Sequence, residues 1–269
     1  MKKAWVKNQL GYDTGLYLYQ DKDQFNFSID TLLLANWASL KAKTKKVCEI
    51  GLNNAALSIL LAARKDDLLI DGIEINEQAI DLAIHNISHN EMANRIRVIH
   101  ADFNDYITQN HLDEKDRYDL VVCNPPYHLS SGLKNKNISK ANENALYEQS
   151  LTFEQIMAGT QKILKQKGVL SMIVSSVRLV DIICLMRQYR FEPKRLKMVY
   201  PRPYKPSCLV LIEAIYNTTP GLVIEKSLLL HNEKPNDHSY TADALFYHRI
   251  NAYELPKKVK KSPNKSSIS

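Results

Sequence analysis

From residue 45 to residue 216 the chain alternates short apolar runs of strand type with runs of helix type. Strand patterns fall at 47–50, 69–74, 96–100, 118–123 and 169–174, and helix patterns at 55–63, 77–90, 153–164 and 180–189. Such alternation points to a parallel sheet with helices on both faces, because each parallel crossover needs a dozen or more residues and a helix fills it. The run Leu120-Val121-Val122-Cys123 is apolar at every position, as expected of a strand buried on both faces. The rhythm then breaks. Two further strand-like runs, 195–200 and 208–216, are separated only by residues 201–207. That linker is too short for a parallel crossover, so the two runs pair as an antiparallel hairpin. The predicted class is α/β, a mostly parallel sheet closed by a C-terminal antiparallel hairpin.

Three regions follow from this pattern. Residues 1–44 form an N-terminal extension with a helix over 29–40 and Ser28 as its N-cap. Residues 45–216 form the sheet domain. Residues 217–269 form a C-terminal extension with a strand near 222–230, a short helix near 241–247 and a basic tail. Residues 128–144 make a long polar loop, the kind of segment that carries function or stays disordered. No apolar run approaches the ~18 residues of a membrane helix, and the first residues turn polar at once, so a cytoplasmic protein with no membrane partner is expected.

Charge adds a partner class. Lys and Arg number 36 against 29 Asp and Glu, a net +7 that suits a polyanion. Cys48, Cys123, Cys184 and Cys208 are scattered without a CxxC pair and read as reduced thiols. His85 and His89 lie four apart on a predicted helix but have no third ligand in the pattern, so no metal is expected.

The sharpest motif is Asn124-Pro125-Pro126-Tyr127, placed directly after the buried strand 118–123. In a sheet of this order ligands bind beyond the carboxyl ends of the strands. The exocyclic amine of a nucleobase is a poor nucleophile because its lone pair is conjugated with the ring. A site that accepts both N–H hydrogens can turn that lone pair outward. The Asn124 side-chain oxygen and the Pro125 carbonyl are two such acceptors. Pro125 and Pro126 hold the backbone extended, and Tyr127 offers a flat face to a base taken out of its stack.

The cofactor side is read from three strand ends. Glu49 stands near the end of the first strand and Gly51 follows it, in Glu49-Ile50-Gly51-Leu52-Asn53-Asn54-Ala55. A nucleotide loop here usually has two or three glycines so that backbone can approach the ligand, and only Gly51 is present. Asn53 and Asn54 tolerate left-handed backbone, and Ala55 is small. Glu74, followed by Ile75, ends the second strand, where an acid suits the ribose hydroxyls of an adenosyl ligand. Asp102 and Phe103 follow the third, where an acid can accept from an adenine amine and a ring can stack on it.

These residues bring a resemblance into view. The sheet resembles the Rossmann-like, seven-stranded sheet of class I S-adenosylmethionine-dependent methyltransferases. The blocks Phe27-Ser28-Ile29-Asp30-Thr31-Leu32-Leu33-Leu34-Ala35, Glu74-Ile75, Asn86, Asp119 to Tyr127 and Pro193-Lys194-Arg195-Leu196 are similar to those of the bacterial tRNA(1)(Val) adenine-37 N(6)-methyltransferases. The resemblance runs from about residue 24 to residue 247. It implies S-adenosylmethionine as methyl donor and adenosine 37, next to the anticodon of a valine tRNA, as acceptor. It places Phe27 and Asp30 over the cofactor. The loop departs from the Gly-Thr-Gly-Asn-Gly-like run of relatives, which predicts weaker cofactor binding or a dependence on tRNA. Arg195, Lys197, Arg202 and Lys205 of the hairpin, with Lys257, Lys258, Lys260 and Lys261 of the tail, are the cations expected to meet the anticodon stem-loop. Other readings are a non-catalytic RNA-binding module on a decayed methyltransferase fold, an adenine methyltransferase for another RNA or DNA, and an NAD-type oxidoreductase. The last needs Gly-x-Gly-x-x-Gly after the first strand, which is absent.

Overall fold

The computed structural model describes residues 5–21, 27–125, 151–234 and 236–250. Strands β3 (Lys46–Ile50), β4 (Leu69–Glu74), β5 (Ile96–His100), β6 (Tyr118–Cys123), β7 (Leu164–Ser175), β8 (Phe191–Tyr200) and β9 (Leu209–Tyr216) form the main sheet in the order β8-β9-β7-β6-β3-β4-β5. Every pairing is parallel except those of β9, which runs against both β7 and β8. The expected mostly parallel sheet with a closing hairpin is therefore present, and its reversal is confined to one strand. Two short strands, β10 (Val223–Ile224) and β11 (Leu228–Leu229), join β8 in parallel at the outer edge. They replace the single strand expected near 222–230 and dock the C-terminal extension onto the sheet.

Helices α1 (Ile29–Trp37), α2 (Ala56–Arg64) and α3 (Glu77–His89) belong to one side of the sheet, and α4 (Phe103–Gln109), α5 (Phe153–Ile163) and α6 (Leu179–Gln188) to the other. A seventh, α7 (Ala242–Phe246), lies in the C-terminal extension. The period-2 pleat of β6 shows why its sequence is apolar throughout. Leu120 and Val122 join the core under α1 and α2, while Val121 and Cys123 join the core under α4 to α6.

Several boundaries differ from the sequence pattern for local reasons. Strand β7 begins at Leu164, directly after α5, and Lys167 takes a left-handed φ of 61° to pass the polar Lys165-Gln166-Lys167 step. Strand β8 begins at Phe191 and contains Pro193, whose missing N–H coincides with a register shift between Pro193 and Arg195. Ser28 stands at the N-cap of α1 without a side-chain cap bond. Two elements had no clear pattern in the sequence. One is the hairpin of β1 (Trp5–Gln9) and β2 (Tyr17–Asp21), and the other is the short helix α4, capped by Asp102.

Helix α1 is fixed at its end by Arg195. The guanidinium lies 4.3 Å from the centroid of the Trp37 ring. Its Nε donates to Glu225 at 2.7 Å and its Nη1 to Ser39 Oγ at 2.6 Å. Trp37 Nε1 donates to the other Glu225 oxygen at 3.0 Å, and Glu213 accepts the Ser39 N–H at 3.0 Å. Arg195 thereby joins β8, β9, α1 and the segment after β10. Removing one partner of a buried charge network costs roughly 3–5 kcal/mol because the carboxylates stay buried. Arg195→Met is accordingly expected to lower Tm by several degrees, to be read by thermal denaturation, and a variant as stable as the parent chain would refute this role.

Candidate active site

The carboxyl ends of β3, β4, β5 and β6 open onto a cavity of about 300 Å³. Phe27, Glu49, Gly51, Glu74, Ile75, Asp102 and Phe103 all line it, together with Asn124 and Pro125. Residues from the ends of four separate strands and from the turn before α1 are thus brought to one space. Asp30 is the exception on the cofactor side. It is half-buried outside the lining, where its charge is felt by Cys208 and Tyr240 rather than in the cavity. Pro126, Tyr127 and the loop 128–144 lie outside the described residues.

The loop after β3 keeps a glycine-type path with a single glycine. Gly51 has φ 77°, Asn53 49° and Ala55 66°, so every second residue is left-handed. For alanine this conformation costs roughly 1–2 kcal/mol, so neighbouring groups must hold it. Gly51 and Leu52 both donate to the Ile73 carbonyl, at 3.0 and 3.1 Å. Leu52 is buried against Gly72 of β4, and a side chain at Gly72 would collide with it. Asn53 N–H donates to Glu74 Oε2 at 2.8 Å, and Asn76 N–H donates to Glu74 Oε1 at 2.8 Å. Glu74 therefore ties the loop to the end of β4 while facing the cavity.

Asn86 completes the support. It is fully buried on α3, and its Nδ2 donates to the Asn54 carbonyl at 3.0 Å. The same carboxamide clasps β2: Oδ1 accepts the Tyr19 N–H at 2.7 Å and Nδ2 donates to the Tyr19 carbonyl at 3.0 Å. One helical turn later Asn90 repeats the clasp on Tyr17, at 3.1 and 2.7 Å. Two asparagines thus pair with the edge of β2 as a strand would. Sequence reasoning had Asn86 only as a motif residue; the i, i+4 repeat with Asn90 was the available signal.

The electrostatics of the cavity are set by Glu49. Its side chain is buried and accepts a hydrogen bond from Ser58 Oγ. Burial pushes its carboxyl up to about 8, against the lowering effect of Ser58. The amide Nδ2 of Asn54, also buried at the cavity, has no acceptor among the described residues. Asp102 divides its work, since its Oδ1 caps α4 through Asn104 N–H at 2.7 Å and Asp105 N–H at 3.3 Å. Phe103 packs against Gly159 of α5, a position where a side chain would strike its ring.

The cations of the hairpin divide into two kinds. Arg195 is engaged with Glu225, Ser39 and Trp37, and Lys197 contacts Glu225 at 3.3 Å and the Lys226 carbonyl at 3.0 Å. Arg202 is buried and donates to the carbonyls of Asn232, Lys234 and Asp237 at 2.6–2.8 Å. These groups hold the fold: Arg195, Lys197 and Arg202, expected from the sequence to meet RNA phosphates, each engage internal partners. Lys205 is exposed and makes no ion pair among the described residues. Lys257, Lys258, Lys260 and Lys261 lie outside the described residues.

Two outcomes follow from this geometry. A carboxyl whose folded value is raised binds its proton more tightly in the folded state. Its stability contribution is full below the usual carboxylate range and is lost as pH rises toward about 8. Thermal scans over this range should show a steeper fall of Tm with pH for the parent chain than for Glu49→Gln; parallel curves would contradict it. The second outcome separates Asn86 from Asn90. Both alanine variants lose a clasp on β2, but only Asn86→Ala frees the Asn54 carbonyl. Calorimetry with S-adenosylhomocysteine should find binding weakened about tenfold for Asn86→Ala and little changed for Asn90→Ala, the scale of one to two hydrogen bonds. Equal affinities in the two variants would remove the loop-holding role.

Comparison with known proteins agrees with this geometry. The family model described as the methyltransferase small domain matches residues 26–181. A curated relative from Parabacteroides distasonis, named tRNA1(Val) (adenine(37)-N6)-methyltransferase, is 28% identical over 196 residues, covering 73% of this chain and 79% of its own. A relative of the same name from Proteus mirabilis is 30% identical over 175 residues, covering 65% and 66%. Among solved structures, a predicted O-methyltransferase from Agrobacterium tumefaciens superposes with a TM-score of 0.63 at 20% identity, covering 84% of this chain and 100% of that one. It shares the fold. With the matched model spanning more than half its length, the chain belongs to the methyltransferase small domain family.

Proposed function

We propose that this protein is an S-adenosylmethionine-dependent tRNA methyltransferase that modifies the exocyclic N6 amine of adenosine 37 in a valine tRNA. The observation that carries the reading is the convergence of Asn124 and Pro125 with Glu49, Glu74 and Phe103 on one cavity. The name shared by the curated relatives supports the tRNA substrate. The left-handed path kept by Asn53 and Ala55 removes the main support for a non-catalytic module, because the loop retains its turn despite its lost glycines.

The residues present fit the cofactor. Glu74 offers a carboxylate at the strand end where ribose hydroxyls are expected, with lone pairs remaining after its two backbone bonds. The orphaned Asn54 amide is a donor suited to an amino-acid carboxylate, and Glu49 is an acceptor suited to its ammonium. Phe103 and Ile75 supply apolar faces for adenine. When bound, S-adenosylmethionine supplies a methyl group on a positively charged sulfur, open to attack by a lone pair.

The chain's own part is to prepare that lone pair. The Asn124 side-chain oxygen and the Pro125 carbonyl each accept one hydrogen of the target amine. With both hydrogens held, conjugation with the ring weakens and the nitrogen lone pair turns toward the cofactor. The two acceptors follow β6, a strand buried on both faces, and a rigid strand end favours positioning of the target amine with little rearrangement. The oxidoreductase reading gives Asn124 and Pro125 no task.

Methylation of unmodified tRNA with labelled cofactor, followed by mapping of the labelled nucleoside, tests the reading. Label at N6 of adenosine 37 in valine tRNA is expected, and label elsewhere or none refutes it. Asn124→Ala should lower single-turnover methylation by about 10²-fold or more, the scale of one preset transition-state hydrogen bond, while S-adenosylhomocysteine affinity stays near that of the parent chain.

A further inference from the structure

The turn joining β8 to β9 carries a feature that the methyl-transfer chemistry leaves unused. Tyr204 stands on it 54% exposed, beside the exposed Lys205. An exposed tyrosine on a loose loop would be ordinary surface. This turn is not loose. It holds Pro201, Pro203 and Pro206, each of which fixes its own φ. Cys208 N–H donates to the Val199 carbonyl at 3.0 Å, and Ser207 Oγ donates to the same carbonyl at 2.9 Å. Lys205 N–H donates to the Arg202 carbonyl at 3.1 Å. Arg202 itself is bound to three carbonyls of the C-terminal extension, so the turn is fastened from beneath. The internal bonds that occupy Arg202 thus have a consequence outside: they fix the backbone that carries Tyr204, whose exposed ring has the Lys205 ammonium 5.8 Å from its centroid.

The turn also stands at the correct edge of the sheet. Strands β6, β7 and β8 run in the same direction, since β7 is parallel to β6 and both β7 and β8 oppose β9. The carboxyl end of β6 carries Asn124, and the carboxyl end of β8 leads into Tyr204. Between them the end of β7 is tied to the turn, with Ser176 N–H donating to the Cys208 carbonyl at 3.1 Å. Just past Ser176, Val177 and Val180 are each 72% exposed. Beside the catalytic mouth there is thus a fixed rim of aromatic and aliphatic surface with a cation, Lys205, that has no carboxylate partner among the described residues.

We propose that Tyr204 is a stacking platform for a base of the substrate RNA other than the acceptor adenine, with Lys205 meeting the adjoining phosphate. This assignment rests on the RNA methyltransferase reading above. The chemistry of the rim selects the occupant. A base presents a flat apolar face to the ring and an anionic phosphate to the lysine, and single-stranded RNA offers both at one nucleotide's spacing. A turn whose backbone is held before binding loses little backbone freedom on contact, so less of the stacking energy is offset by ordering. Stacking accepts any base, so the rim would secure a single-stranded loop against the enzyme without reading its sequence.

The experiment measures binding of the anticodon stem-loop of valine tRNA to the full chain and to Tyr204→Phe and Tyr204→Ala, at one fixed salt concentration. S-adenosylhomocysteine affinity is measured in parallel as a check on the fold of each variant. Tyr204→Ala should bind the stem-loop about tenfold or more weakly, Tyr204→Phe should bind as the parent does, and all three should bind S-adenosylhomocysteine alike. A fully base-paired RNA of equal length should show no difference between the variants. If the parent chain methylates tRNA and Tyr204→Ala binds the stem-loop as tightly, the stacking role is overturned while the catalytic reading stands. If the parent chain binds the stem-loop through Tyr204 but transfers no methyl group to it, the stacking role stands and the catalytic reading falls. If the parent chain binds no single-stranded RNA, both fall.

Discussion

The carboxamide of Asn86 holds together the parts on which the site depends. It joins the N-terminal hairpin, helix α3 and the loop after β3 through three hydrogen bonds from a fully buried side chain. Its neighbour on the loop, Ala55, sits in a backbone conformation that alanine disfavours. A glycine loop would adopt that path unaided. In this chain the path is imposed by Asn86 on one side, Glu74 on the other and Leu52 wedged over Gly72 beneath. The strain of the loop and the burial of its supports are two aspects of one arrangement. Polar groups as deeply buried as these are costly when unpaired, so the alternative conformations of the loop are raised in energy with it.

A second anchor works at the far end of α1. Arg195 packs on Trp37 and bridges Glu225, Ser39 and Glu213. The helix that begins just after Phe27, at the cavity, is therefore fixed where it ends. The C-terminal extension takes part in both the anchor and the turn: Glu225 meets Arg195, while the carbonyls of Asn232, Lys234 and Asp237 hold Arg202. The C-terminal extension thus braces α1 on one side and the turn between β8 and β9 on the other.

Much of the site was legible because strand ends are legible. An apolar run followed by an acid, or by Asn124-Pro125, states both where a strand stops and what stands at its stop, and in a parallel sheet all such stops face one space. Glu49, Glu74, Asp102 and Asn124 are read from the sequence in this way, and all four line the cavity. Asp30 stands apart from them: Phe27 precedes α1 and lines the cavity, whereas Asp30, in the first turn of the helix, lies outside the lining. The hairpin of β1 and β2 was invisible since its partners are side chains of a helix, at positions 86 and 90, rather than a neighbouring strand.

The sequence by itself determined the strand–helix alternation of the main sheet, the reversal at β9 and the residues that end its strands, because periodicity and linker length act locally along the chain. Tertiary structure alone decided which charges are free. Arg195, Arg202 and Lys205 lie within eleven residues of one another and look alike in the sequence. Two are consumed by distant carboxylates and carbonyls, and one is left in solvent. A cation's role depends on what folds against it, and those partners come from positions near 37, 225 and 232, beyond the reach of any local pattern.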